Sequence, residues 1–241
     1  MTRLPLYGVT LYGFAALLAA ANPEPCCTVV SLDAKRQTVT AIQRDSAKLF
    51  AFTVKNPKVF KSIQVADRFD APVASMQKDQ PFAADVGLAE SAAACCTLTT
   101  DVGGAGQALG VHPHDQTQVD VVLMELKRTA GTTVTVRWQY LNGGDEPLQF
   151  EAKGCTGMGC TYSVAEDMHL LDGATRTKYE VLRDETNKEV AQQYESSKMA
   201  VAPHQAFSTW AKFNAPPASS SKVTVVIPGV SEPFEDIPIA P

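Results

Sequence analysis

Cysteine is the residue type whose spacing carries the clearest chemistry. Cys26-Cys27-Thr28-Val29-Val30 is echoed by Cys95-Cys96-Thr97-Leu98-Thr99, and Cys155 and Cys160 stand five positions apart in the loop GCTGMGC. An even number of cysteines in an exported chain implies disulfides. Neighbouring residues of a strand point to opposite faces, so both members of a Cys-Cys pair can hardly reach one partner from regular β structure. The economical arrangement lays the two Cys-Cys segments side by side and bonds across them. Such a bridge would close a loop of about 70 residues, worth ~4 kcal/mol in the loop-entropy picture. Cys155 and Cys160 fit a local disulfide pinning a surface loop. Two other readings stay open for the pairs: a redox-active dithiol and a four-thiolate metal site. The second lacks the Cys-x-x-Cys spacing of tetrahedral zinc centres, and an oxidising compartment opposes it.

The other chemically able residues are scattered. His112-Pro113-His114-Asp115 offers imidazoles and a carboxylate that suit Zn or Cu, but consecutive ligands in a loop need partners from elsewhere. His169 lies in the strand-like run MHLL, and His204 follows Pro203. Cys155 or Cys160 with His169 would make a nucleophile and base, although no spacing demands it. There is no Gly-x-Ser-x-Gly elbow, no His-Glu-x-x-His and no phosphate loop. Glu166-Asp167 and Asp184-Glu185 fall at turns and read as solvated. The reading therefore names no catalytic residue, no metal ligand and no cofactor.

The elements that would position these residues start from an address. Residues 1–21 have a minimal basic start at Arg3, an apolar run from Leu4 to Ala20, and Ala19-Ala20-Ala21 before Asn22-Pro23. That is the plan of a cleaved signal peptide; retention as an anchor is the alternative. Nothing later is long and apolar enough to span a membrane. The expected location is periplasmic or extracellular, in a bacterium. A formal charge of −5 and a pI near 5.4 argue against a nucleic-acid partner.

The remaining 220 residues divide into three stretches. Residues 22–100, bracketed by the Cys-Cys pairs, alternate short strands and turns: Cys26 to Asp33, Thr38 to Ile42, Lys48 to Val54 and Ile63 to Phe69, with Val73 to Met76 as the candidate fifth. Pro57 falls in a polar connection. This pattern predicts a small antiparallel barrel or roll. The run TVVSLDAKRQTVTAIQ, KLFAFTV and SIQVADRFDA, with Val65, Asp67 and Phe69, resembles the small five-stranded oligonucleotide-binding-type barrels of exported bacterial proteins, a plan shared by periplasmic copper carriers. Those carriers bind copper through Met, His and Trp. This stretch has no His or Trp and only Met76, so copper does not carry over. Residues 101–118, opening with DVGGAGQALG, read as a Gly-rich linker.

Residues 119–241 are organised around Val119 to Asn142, read as two strands joined by a turn near Gly131. Val119, Val121, Leu123 and Glu125 share one face of the first strand. Asp120, Val122, Met124 and Leu126 share the other, so the strand is expected to be covered on both sides for part of its length. In the second strand Val134, Val136, Trp138 and Tyr140 alternate with polar residues, and Trp138 is the expected centre of a core. Asn142-Gly143-Gly144-Asp145 is a turn. Further strands are expected at Leu148 to Ala152, Tyr162 to Leu171, Lys178 to Leu182, Phe207 to Phe213, Val223 to Ile227 and Ile237 to Ile239. Glu189 to Ser197 reads as a helical turn or polar loop. This succession predicts an immunoglobulin-like β-sandwich. TVTVRWQYLN, TKYEVLRD, FSTWAKFNAPP and VTVVIPGVSEPFEDIPI resemble domains of uncharacterised function in exported bacterial proteins, which implies a sandwich and no catalytic residue.

The expectation is thus an all-β, two-block, non-catalytic exported protein that serves as a structural or binding module for another envelope protein or a surface polymer. Its rival is a metal-binding or thiol-redox protein using the Cys-Cys pairs.

Overall fold

The computed structural model describes residues 26–54, 56–69, 107–129, 132–151, 162–194 and 198–241. The leader, Cys95, Cys96, Cys155, Cys160, the strand expected at Val73 to Met76 and the run DVGGAG lie outside the described residues.

The described chain is almost all β. In the first block β1 (Cys27–Asp33), β2 (Thr38–Gln43), β3 (Leu49–Thr53) and β4 (Arg68–Phe69) form an antiparallel sheet in the order β3-β2-β1-β4. The β1–β2 turn falls where the sequence places it. Asp33 Oδ1 accepts from the N–H groups of Lys35 and Arg36, and Gln37 takes a positive φ of 52°. Of the expected barrel or roll, the described residues form an antiparallel sheet that does not close into a barrel: β4 contributes only two residues and no described strand joins β4 to β3. Pro57 also does more than punctuate. It opens the helix α1 (Pro57–Ser62), capped by the Asn56 side chain accepting from Lys58 N at 3.0 Å.

The stretch read as a linker contains β5 (Gly110–Pro113), which pairs with β6 (Val119–Thr129). Pro113 is tolerated there because β5 is an edge strand. Gly110 is required because a Cβ would sit 2.7 Å from the Phe234 ring. Next come β7 (Thr133–Asn142), β8 (Leu148–Glu151), β9 (Tyr162–Ser163), β10 (His169–Asp172), β11 (Thr177–Glu180), β12 (Gln193–Tyr194), β13 (Lys198–Val201), β14 (Gln205–Asn214), β15 (Lys222–Val226) and β16 (Phe234–Pro238). They make two four-stranded sheets, β14-β7-β6-β5 and β11-β10-β15-β16, with β8–β13 and β9–β12 as two-stranded ribbons.

The two sheets face each other as a sandwich. Val121, Leu123, Val136, Trp138 and Tyr140 from one side meet Leu170, Val223, Val225 and Phe234 from the other. Leu126, expected on the opposite face, joins this core. A bulge between Leu123 and Glu125 inserts one residue and reverses the strand's parity, so Leu126 stands opposite the inward Val136.

The outer face of the same central sheet is also covered. Val122 and Leu141 pack against Val30, Ile42, Leu49 and Ala66 of the first block. Gly143 marks how close the two blocks come: a Cβ there would lie 3.0 Å from Ala66 O and 3.1 Å from Ala66 Cβ. Among the described residues the three four-stranded sheets therefore stack, and β6 is buried on both faces as its sequence pattern requires.

Candidate functional site

Two places gather chemically able side chains. The first is the seam between the first block and the central sheet. Alternation along β1 sends Thr28 and Val30 toward β6, and Cys27 and Val29 into the first block's own interior. Thr28 Oγ1 donates to Asp120 Oδ2 at 3.3 Å. Arg44 Nη1 lies 2.9 and 2.7 Å from the two carboxylate oxygens, and Arg68 Nη2 lies 3.0 Å from Oδ1. The Asp120 side chain is 2% exposed. A carboxylate so deeply buried is tolerable only because charged donors satisfy it. Sequence reading missed this cluster. The signal was available: an Asp inside the run Val-Asp-Val-Val-Leu, expected on a covered face, must find a cationic partner.

Cys26 and Cys27 lie at one end of the seam. Both are buried beside Ala41 and Phe50, with Phe52 and Phe69 packed on them. Their sulfurs are 4.0 Å apart, so they are not bonded to each other. The other four disulfide candidates lie outside the described residues.

The second place is a cleft of about 290 Å³ at the open edge of the second sandwich sheet. Asp184 lies beside it and shapes the loop that carries Arg183 and Glu189. Its Oδ1 accepts from Thr186 N, Thr186 Oγ1 and Lys188 N, which folds a tight loop and holds its carboxyl below the usual range, the Lys188 N–H contributing most. That loop brings Arg183 and Glu189 together as a β-bridge, with Arg183 Nη2 3.2 Å from Glu189 Oε1. Glu189 to Tyr194, the described part of the stretch read as helical turn or polar loop, is neither. Its backbone runs along β14, with Lys212 N donating to Val190 O at 2.9 Å and Ala191 bridging Ala211. Glu189 is 10% exposed, and that burial raises its carboxyl pKa against the lowering effect of Arg183. His169 Nδ1 lies 3.1 Å from the carbonyl of Asp167. A carbonyl only accepts, so in the neutral ring Nδ1 holds the proton and Nε2 is left as an acceptor. Lys178 and Glu180, two apart on β11, pair at 3.1 Å along the rim, while Met168 and Val181 supply an apolar floor.

No protein family, curated protein or solved structure matches this chain. The chemistry of these side chains is therefore read from their own geometry.

The remaining candidates do not converge. Cys155 and Cys160 lie outside the described residues, so no pairing with His169 is described. Among the described residues no three His, Cys, Asp or Glu side chains gather in a metal-binding arrangement. His112 stacks edge-on to Phe234 at 4.5 Å, and His114 faces Tyr140 at 6.0 Å. His114 Nδ1 accepts from Gln116 N at 3.0 Å, and its Nε2 would be 2.5 Å from a Cβ on Gly229. These contacts join β5 to the β15–β16 turn, where Asp115 N also donates to Gly229 O at 2.7 Å.

Burial lowers the pKa of both histidines below 6.5, with Glu232 and Asp115 respectively opposing the shift. The unfolded chain then binds more protons than the folded one as pH falls through about 6.5, so stability is present above that pH and lost below it. The melting temperature is expected to fall on acidification across this window. His114→Gln should make the slope shallower, as thermal denaturation at a series of pH values would show.

Proposed function

We propose that the protein is a non-catalytic, exported envelope protein that binds another envelope protein or a surface polymer. The sequence supports this through the signal-like residues 1–21. One structural observation carries the reading furthest: the buried charges of the seam are spent on holding sheets together. Asp120 ties two arginines of the first block to β6. Asp172 has the same character in the sandwich, accepting from Ser220 at 2.6 Å, Thr175 and Ala174, bonds that hold its carboxyl below the usual range. A rigid stack with clefts and loops at its periphery suits recognition.

In this reading residues 119–241 are an immunoglobulin-like domain. In it the Cys-Cys pairs form structural disulfides that staple the first block. Among the described residues no helix is long and apolar enough to cross a membrane.

Subcellular fractionation of the full-length chain, followed by metal analysis and thiol titration of the exported form, tests the proposal. Recovery from the periplasm or medium with oxidised cysteines and no stoichiometric metal supports it. Bound Cu or Zn, or thiols that titrate reversibly, would favour a metal or redox protein instead.

A further inference from the structure

The cleft beside Glu189 brings a half-exposed guanidinium, a nearly buried carboxylate and an imidazole together. We propose that this cleft binds a single neutral saccharide ring through adjacent hydroxyl groups, as one unit of a surface polysaccharide. The inference rests on the reading of the protein as a polymer binder and assigns that binding a place.

The argument is one of complementarity. A vicinal diol presents O–H donors and oxygen acceptors a fixed distance apart. Glu189 supplies acceptors, Arg183 supplies N–H donors, and the bridge between the two residues sets their separation before any ligand arrives. His169 Nε2 adds an acceptor whose role is fixed by the Nδ1 bond to Asp167 O. Met168 and Val181, nearly buried in the sandwich core, close the floor beneath them.

Other ligand classes fit less well. An anion would meet the carboxylates of Asp167, Glu180 and Glu189. A divalent cation would meet Lys178 and Arg183, and the described residues include no group arranged to ligate one. An amine would compete with two cations already paired to Glu180 and Glu189. A largely apolar ligand would strand a lining made mostly of charged groups. At about 290 Å³ the cleft lies at the small end of ligand sites, which suits one ring and excludes burial of a longer chain.

Isothermal titration of the exported full chain with maltohexaose, cellohexaose and N-acetylchitohexaose tests the proposal. At least one should bind saturably. Glu189→Gln, which keeps the side-chain shape and loses the charge, should weaken that binding about tenfold or more, as loss of a charge-assisted hydrogen bond does. Glu180→Gln, at the exposed rim, provides a second variant should the first fail to fold, and should weaken binding by a smaller factor. Absence of binding to all three sugars, or equal binding by wild type and both variants, overturns the proposal. Co-sedimentation with purified envelopes separates this outcome from failure of the broader reading. If Glu189→Gln still sediments like wild type, the cleft assignment falls and the envelope role stands. If wild type binds sugar but does not sediment, the reverse holds.

Discussion

Asp120→Ala is expected to destabilise the protein by about 3 kcal/mol in urea denaturation, because it strips the shared acceptor from Arg44 and Arg68 at a buried seam. The arginine side chains are 15% and 25% exposed, so water reaches them and keeps the cost at the lower end of what breaking a buried pair produces. Asp120→Asn should fall between the two, since an amide oxygen still accepts one bond. Glu125→Ala provides the contrast. Glu125 also pairs with an arginine, Arg137, at 3.1 Å, but both side chains are exposed, and its loss should cost less than about 0.5 kcal/mol. A result in which the two alanine variants behave alike would mean that the seam is wet and the ion cluster incidental.

Trp138→Ala is expected to cost about 4 kcal/mol, in the range for emptying a large aromatic from a packed core. Trp138 is 1% exposed, lies opposite Leu123 on β6 and Thr209 on β14, and fills the centre of the sandwich. Trp138→Phe should cost much less than the difference in side-chain area suggests. The indole Nε1 is buried with no hydrogen-bond partner among the described residues, and phenylalanine removes that unsatisfied donor together with the lost contacts. Equilibrium denaturation of the two variants, compared at constant m-value, separates the cavity contribution from the stranded N–H.

The architecture of the central sheet could be read from the sequence because its pattern has one physical meaning. Period-two alternation through Thr133 to Tyr140 allows one buried face, and Val134, Val136, Trp138 and Tyr140 occupy it. Apolar residues on both faces of β6 required two covering layers, and the structure supplies them from the opposite sheet and from the first block. Three features did not follow from pattern. The bulge at Leu123–Glu125 reverses strand parity without any Gly or Pro to announce it, so Leu126 was placed on the wrong face. The strand β5 is four residues beside a Gly-rich run, and its pairing with β6 is a tertiary choice that local signals do not encode. The Glu189 stretch, polar and short of apolar alternation, becomes extended because β14 offers it backbone partners.

The candidate sites divide along the same line. Seam chemistry was half visible: Asp120 stood at a covered position, but Arg44 and Arg68 come from 76 and 52 residues away and nothing local marks them. Around the cleft, Asp184-Glu185 read as solvated carboxylates at a turn, and Glu189 opened a stretch read as helical turn or polar loop. Only the hydrogen bonds of Asp184 show that the turn is built tightly enough to hold Arg183 and Glu189 face to face.

The central claim is that the first block and the sandwich are one mechanical unit, joined across β6. Native-state hydrogen exchange tests this most directly, by comparing the amides of β2 with those of β7 in wild type and in Asp120→Ala. The account predicts that both strands open with the same free energy in the wild type, and that Asp120→Ala lowers protection in β2 before β7. If β2 already exchanges at a much lower free energy than β7, and Asp120→Ala leaves that gap unchanged, the two blocks are independent and the stacked-sheet account is contradicted.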